Sequence, residues 1–517
     1  MKKVVGKIVG IVATILIAAS VAVAFVGCGT DEELRIYNWG YYMCDDVLDS
    51  FAEWYENETG RSIRVRQTSF TSNERMLRDI DQGVSFDIAV PSEYTVSKML
   101  KEELLLPIDR DIVTNLDNIY GRLMDITDAA TGRTSDTDNV YAMPYLWGTM
   151  GLMFDASMIR YEYIEYWGWS ALFRPIPTNS APTEAEPVVA LTSDALSAFA
   201  ADNRFLHNRI YMKDSVRDSL TAAQFHNRRD RLLTAVEQEN TWDVGGAGHN
   251  ILQEIFVTPP SANLATYETI FRNQRQMNEF FKFEVDIGMN EMMDNLANRG
   301  FMGVFWSCDA GYVLTENSNL AYHVPKLGGN VYVDAMVIPS TARNPVAANY
   351  FLYYINKFDP ANPGASAAFR NMSAVGAPSA VEAAMEAFRD SVIANDGVAN
   401  IYDEKIKDMF GDKRVGDRPT DMFVWEMYTN VIMFPHLYPG ENILDRTSHM
   451  RDWGPSVEQE LALMWSRVLV ATSGCDNADA TMAFVFVPLG LMGVGTPVGM
   501  AAVKSKMKRR EKLQNKP

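Results

Sequence analysis

The sequence predicts an α/β protein of at least two lobes. Strand-like and helix-like stretches alternate from residue 34 to residue 91. About 450 residues lie between an apolar segment at each end, more than one ordinary core organises. Apolar residues make up 47% of the chain, enough to fill two cores.

The alternation begins at Leu34-Arg35-Ile36-Tyr37-Asn38-Trp39, whose period of two predicts a strand. In Asp45–Tyr55, the apolar positions 47, 48, 51, 54 and 55 recur at helical spacing. The acids at its start suit a helix N-terminus, and Gly60 supplies a stop. Residues 63–67 read as a second strand, 73–82 as a second helix and 86–91 as a third strand. Strand, helix, strand, helix, strand in sixty residues is an α/β pattern. A Pro-rich stretch from 170 to 208 interrupts the rhythm and reads as an insertion. Further strands are predicted at 300–306 and 331–339, and helices at 344–356 and 365–372. Residues 390–435 give no clear pattern.

The ends read as targeting segments. Lys2, Lys3 and Lys7 precede an uncharged stretch from 8 to 27, as in an export signal. The stretch closes on Phe25-Val26-Gly27-Cys28-Gly29, a lipobox-like sequence in which Cys28 is the lipidation candidate, although Phe25 stands where leucine is usual. An uncleaved anchor is the alternative, since twenty residues can span a bilayer. Ala480–Val503 is again free of charge and precedes Lys504, Lys506, Lys508, Arg509, Arg510 and Lys512. A transmembrane helix at 480–503 with a basic cytoplasmic tail at 504–517 is therefore expected.

The net charge is −19; the two ends contribute +3 and +6, so residues 29–479 carry −28. Such an acidic exterior argues against nucleic acid and suits a cationic ligand. Cys44, Cys308 and Cys475 are too few and too scattered for a disulfide framework. Six dispersed histidines, with no His-Glu-x-x-His pair, no Gly-x-Ser-x-Gly elbow and no P-loop, argue against an enzyme and against a metal or other cofactor.

Several fragments recur in a recognisable order. They are Tyr37-Asn38-Trp39-Gly40-Tyr41-Tyr42, Thr71–Met76, Phe86–Tyr94, Met99–Glu102, Met143–Thr149, Lys213–Asp218, Val304-Phe305-Trp306 and Gly328–Asp334 with Ile338-Pro339. In that order they resemble the spermidine/putrescine-binding proteins of bacterial ABC importers. The resemblance implies a two-lobed, type II periplasmic-binding-protein-like fold with a ligand cleft and hinge closure. Lobe 1 would comprise 34–145 and 334–380; lobe 2 would comprise 146–333 and 381–470, with insertions near 170–208 and 390–435. Crossovers are expected near Tyr145–Gly151 and near Asp334. The partners implied are a polyamine or other small organic cation, the membrane, and an ABC permease with its cytoplasmic ATPase. The protein is expected to act as a monomer outside the cytoplasm.

A polyamine needs aromatic walls for its methylenes and carboxylates for its ammonium groups. Each aromatic–cation contact contributes about 0.5–2 kcal/mol, and micromolar binding needs about 8 kcal/mol net. By the resemblance, the walls are Trp39, Tyr42, Tyr94, Trp306 and Tyr332, with Ser92 beside them. The acids are Asp218 at one end and Asp334 at the amine. Trp306 and Tyr332 could instead be core residues and Asp218 a solvated helix charge. A lone acid in the apolar run around Asp334 is harder to place without a cation. Tyr41 stands where the family has an acid, and Ala377 where it has an aromatic. These departures leave room for another amine, or for a membrane-anchored sensor or assembly subunit with an eroded site.

Overall fold

The computed structural model describes residues 32–155, 159, 164, 167–173, 210–213, 215–277, 302–310, 320–393 and 441–470. The expected signal and Cys28, residues 174–208 of the insertion expected at 170–208, most of 390–435, and the segment 480–517 lie outside the described residues. Among the described residues no helix is long and apolar enough to cross a membrane.

Strand β1 (Glu32–Trp39) is followed by the helix Asp45–Thr59 and strand β2 (Ile63–Phe70). Gly60 ends the helix at φ 72°, a left-handed conformation that glycine adopts without steric cost. Helix Asn73–Asp81 is capped by the Ser72 hydroxyl, which accepts from the Arg75 N–H. Strand β3 is only Ile88–Ala89, shorter than the alternation suggested. Just ahead of it, the Asp87 carboxylate is spent on backbone amides. It accepts from Arg35, Arg343 and Asn344, each at 2.8 Å, and so ties β1 to the start of the helix Pro345–Ile355.

Helix Glu93–Lys101, strand β4 (Leu105–Leu106) and helix Gly121–Thr131 lead into β5 (Ala142–Asp155). Strand β6 (Ile210–Tyr211) and helix Val216–Asn227 follow, then β7 (Met302–Trp306), β8 (Leu320–His323), β9 (Gly329–Pro339) and β10 (Thr447–Ser448). The sheet runs β2-β1-β3-β9-β5-β7-β6, with β4 and β10 also pairing β9 and β8 pairing β5. Parallel β1–β2 and β1–β3 pairs meet an antiparallel centre made by β5 and β9.

The long strands serve two hydrophobic cores. Leu146 and Trp147 of β5 lie in the first core, with Val47, Phe51 and Val333, whereas Met150, Leu152 and Phe154 lie in the second, with Leu220, Phe225 and Trp465. β5 thus changes core between Trp147 and Met150, inside the stretch expected for a crossover. The second passage comes ahead of Asp334: Leu327, before β9 begins, packs in the second core, and Val331 of β9 in the first. A second difference concerns the helix Glu382–Ile393. Its Met385 packs in the first core and receives the Trp147 indole N–H at 3.2 Å, so the region after 380 begins with lobe 1. Neither shift could be read from periodicity, because an apolar residue does not say which core it fills.

Candidate ligand-binding site

Asp334 occupies the centre of β9, opposite Leu146 of β5, and is 6% exposed. Burial without a formal counter-charge raises its pKa to about 6, the largest influence being desolvation. Hydrogen bonding from Ser92, Tyr42 and Trp39 pulls in the opposite direction. The Ser92 hydroxyl donates to Asp334 Oδ1 at 2.7 Å. Ser92 stands at the N-cap of the helix Glu93–Lys101 yet makes no side-chain cap bond, because its hydroxyl is committed to Asp334. The start of that helix also favours negative charge nearby. The Trp39 indole N–H and the Tyr42 hydroxyl are buried without a well-aligned partner, so with Ser92 three donors collect around one carboxyl.

Local structure holds these groups in place. Tyr41, at φ 59°, turns the chain after β1 and brings Tyr42 inward. The Tyr145 hydroxyl donates to the Tyr42 carbonyl at 2.6 Å, and Asn371 donates to Tyr145 at 2.8 Å. Asn73 donates to Ser92 at 3.2 Å and to the Tyr94 hydroxyl at 2.8 Å. Gly148 faces Tyr332 across the β5–β9 pair. A β-carbon there would lie 2.6 Å from the Tyr332 hydroxyl and 2.3 Å from Ser307 Oγ. Gly148→Ala should therefore displace Tyr332 and destabilise the fold by about 1–3 kcal/mol, seen as a lower urea midpoint. An unchanged midpoint would show that this contact is slack.

The second end of the site lies at Trp306. Its ring sits 6.4 Å from that of Tyr332, which links it to Asp334. Asp218, in the first turn of the helix Val216–Asn227, is 5% exposed. Burial raises its pKa, against the charge of Lys213 and hydrogen bonds from Ser215 and Trp306. It is therefore neither a solvated helix charge nor remote from Trp306. Trp306 and Tyr332 are both partly exposed rather than sealed in a core. The Arg217 guanidinium lies 4.5 Å from the centre of the Tyr94 ring. Ala377 is fully buried among first-core residues.

All eight predicted residues belong to one connected set of contacts. The sequence reading missed the part of three charged neighbours, Glu93, Lys213 and Arg217. Glu93 has a pKa pushed up to about 8 by burial, and accepts from the Val333 N–H at 3.1 Å. Lys213 contacts Asp309 at 3.4 Å, and Arg217 contacts Glu458 at 2.7 Å. Lys213 and Arg217 were visible within the Lys213–Asp218 fragment, but nothing local shows that their charges point back onto aromatic rings. Among the described residues no cluster is suited to hold a metal ion.

No family model matches the chain. Over 334 residues it is 25% identical to the spermidine/putrescine-binding periplasmic protein of Salmonella typhimurium, covering 64% of this chain and 74% of that one. A Listeria monocytogenes structure, named provisionally for a spermidine/putrescine ABC transporter, aligns with TM-score 0.53 at 24% identity, covering 85% of this chain and 99% of that one. The spermidine/putrescine ABC transporter substrate-binding protein PotD of Streptococcus pneumoniae aligns with TM-score 0.50 at 20% identity, with the same coverage. The chain is a relative of the spermidine/putrescine-binding periplasmic proteins, and its fold is that of the two-lobed substrate-binding proteins.

Proposed function

We propose that this chain is the extracytoplasmic substrate-binding component of an ABC importer, and that it captures a small organic cation of the polyamine class. The observation that carries the reading is Asp334, a buried acid with a hydroxyl partner and several nearby donors but no paired cation among the described residues. An ammonium group placed there would convert an unfavourable buried charge into a pair. Trp39, Tyr42 and Tyr332 would enclose it, and Trp306 with Asp218 would bound the far end of the site. The similarity to spermidine/putrescine-binding periplasmic proteins supports an amine ligand and a periplasmic location. Lipidation at Cys28 and a span at 480–503 would hold the protein on the membrane beside its permease.

Fluorescence tests the reading. With Trp39 and Trp306 in the site, at least one alkylamine among butylamine, putrescine and spermidine should change tryptophan emission saturably at micromolar concentration. No change with any amine, together with unaltered thermal stability, would refute it.

A pH dependence follows from Asp334. The unliganded carboxyl, with its pKa near 6, must be ionised to hold a cation. Between pH 7 and pH 5 the apparent affinity should therefore fall about tenfold, as protonation competes with binding. Affinity independent of pH over this range would place the cation elsewhere.

A further inference from the structure

Trp306, expected to receive the far end of a ligand, already carries a cation. The Lys213 ammonium sits 3.7 Å from the centre of the Trp306 ring and 3.4 Å from Asp309 Oδ2. Its side chain is 3% exposed. Lys213 lies just ahead of the helix that carries Asp218, and its carbonyl accepts from the Ser219 hydroxyl at 2.7 Å, which fixes where the side chain starts. A lysine ammonium is strongly hydrated, and burying it is costly unless an aromatic face and carboxylates replace the water. Those replacements are the ones a ligand's ammonium would need. At 3.7 Å the contact is direct, so a second ammonium cannot share that face of Trp306.

Tyr94 shows the same arrangement. Arg217 covers its ring at 4.5 Å and is fixed there by Glu458 at 2.7 Å and by the Arg451 carbonyl at 3.1 Å. Two of the five predicted aromatic walls thus face cations that belong to the chain. Trp39, Tyr42 and Tyr332 instead gather near Asp334.

We propose that Lys213 is a tethered cation filling the ammonium position at the Trp306–Asp218 end, so that the chain selects organic cations with a single ammonium group, held at Asp334, over longer polyamines. This rests on the reading of Asp334 as the cation site. The ligand class it names is a primary alkylammonium with an uncharged tail. A triamine would have to place a second charge against Lys213.

Calorimetric titration of the full chain with butylamine, putrescine and spermidine tests this, in the wild type and in Lys213→Met and Lys213→Arg. The wild type should bind butylamine at least as tightly as spermidine. Lys213→Met keeps the stem and removes the charge, so its affinity for spermidine should rise about tenfold or more, with butylamine little changed. Lys213→Arg should keep the wild-type order. A wild type that binds spermidine about tenfold more tightly than butylamine overturns the role of Lys213 while leaving the cation reading intact, whether or not Lys213→Met folds. Loss of spermidine binding in a folded Lys213→Met overturns it too. If the wild type and Lys213→Arg bind no amine at all, the cation reading itself fails and this inference with it.

Discussion

Asp334→Asn should reduce affinity for a cationic ligand by about a hundredfold or more, while making the unliganded protein more stable at pH 8. The loss follows from removing one member of a buried charge pair, which costs about 2–5 kcal/mol. The gain follows from the carboxyl's raised pKa. A folded-state value near 6, above the ordinary value near 4, favours the fold below pH 4, and that contribution is lost as pH rises through 6. A shift of two units corresponds to about 3 kcal/mol at most, an upper bound for a group with hydroxyl and indole neighbours. Asn cannot ionise and its carbonyl can still accept from Ser92. Urea midpoints should therefore rise at pH 8, rise by roughly half as much at pH 5, and converge with wild type near pH 4 and below. Weaker binding without the gain in stability would mean that Asp334 is already well compensated. Unchanged binding would remove it from the site.

Asp87→Ala should be the most damaging single change to the fold, at about 3–5 kcal/mol. The carboxylate accepts three backbone N–H groups from two distant parts of the chain, Arg35 in β1 and the pair Arg343 and Asn344 before a helix. It is fully buried, so water cannot readily replace it. Asn at this position retains one oxygen acceptor and should lose roughly half as much. A series in urea midpoint of wild type, then Asn, then Ala would confirm the order. Equal midpoints for wild type and Ala would show that the amides find other partners.

The regular elements near the N-terminus were legible because each follows one period and ends on a recognisable stop, as at Gly60. β3 fell short of the stretch 86–91, because no local pattern announces where its pairing with β1 stops. Asp334 was legible for the opposite reason, as a charge standing where the pattern demands an apolar residue. Glu93 was not, since an acid in a first helical turn reads as an ordinary dipole partner. Lys213 and Arg217 were hidden more deeply. Their meaning depends on Trp306, Asp309, Tyr94 and Glu458, which are separated from them by roughly ninety to well over two hundred residues of chain in most cases. The assignment of Met385 to the first core has the same cause.

The capture of a cation at Asp334 is tested most directly by calorimetric titration of the full chain, in detergent at pH 7.5, with butylamine, putrescine and spermidine in turn. The account predicts saturable heat at micromolar concentration for at least one of them, and its loss in Asp334→Asn. Silence with every amine up to millimolar concentration, or equal heat from the Asn variant, would contradict it.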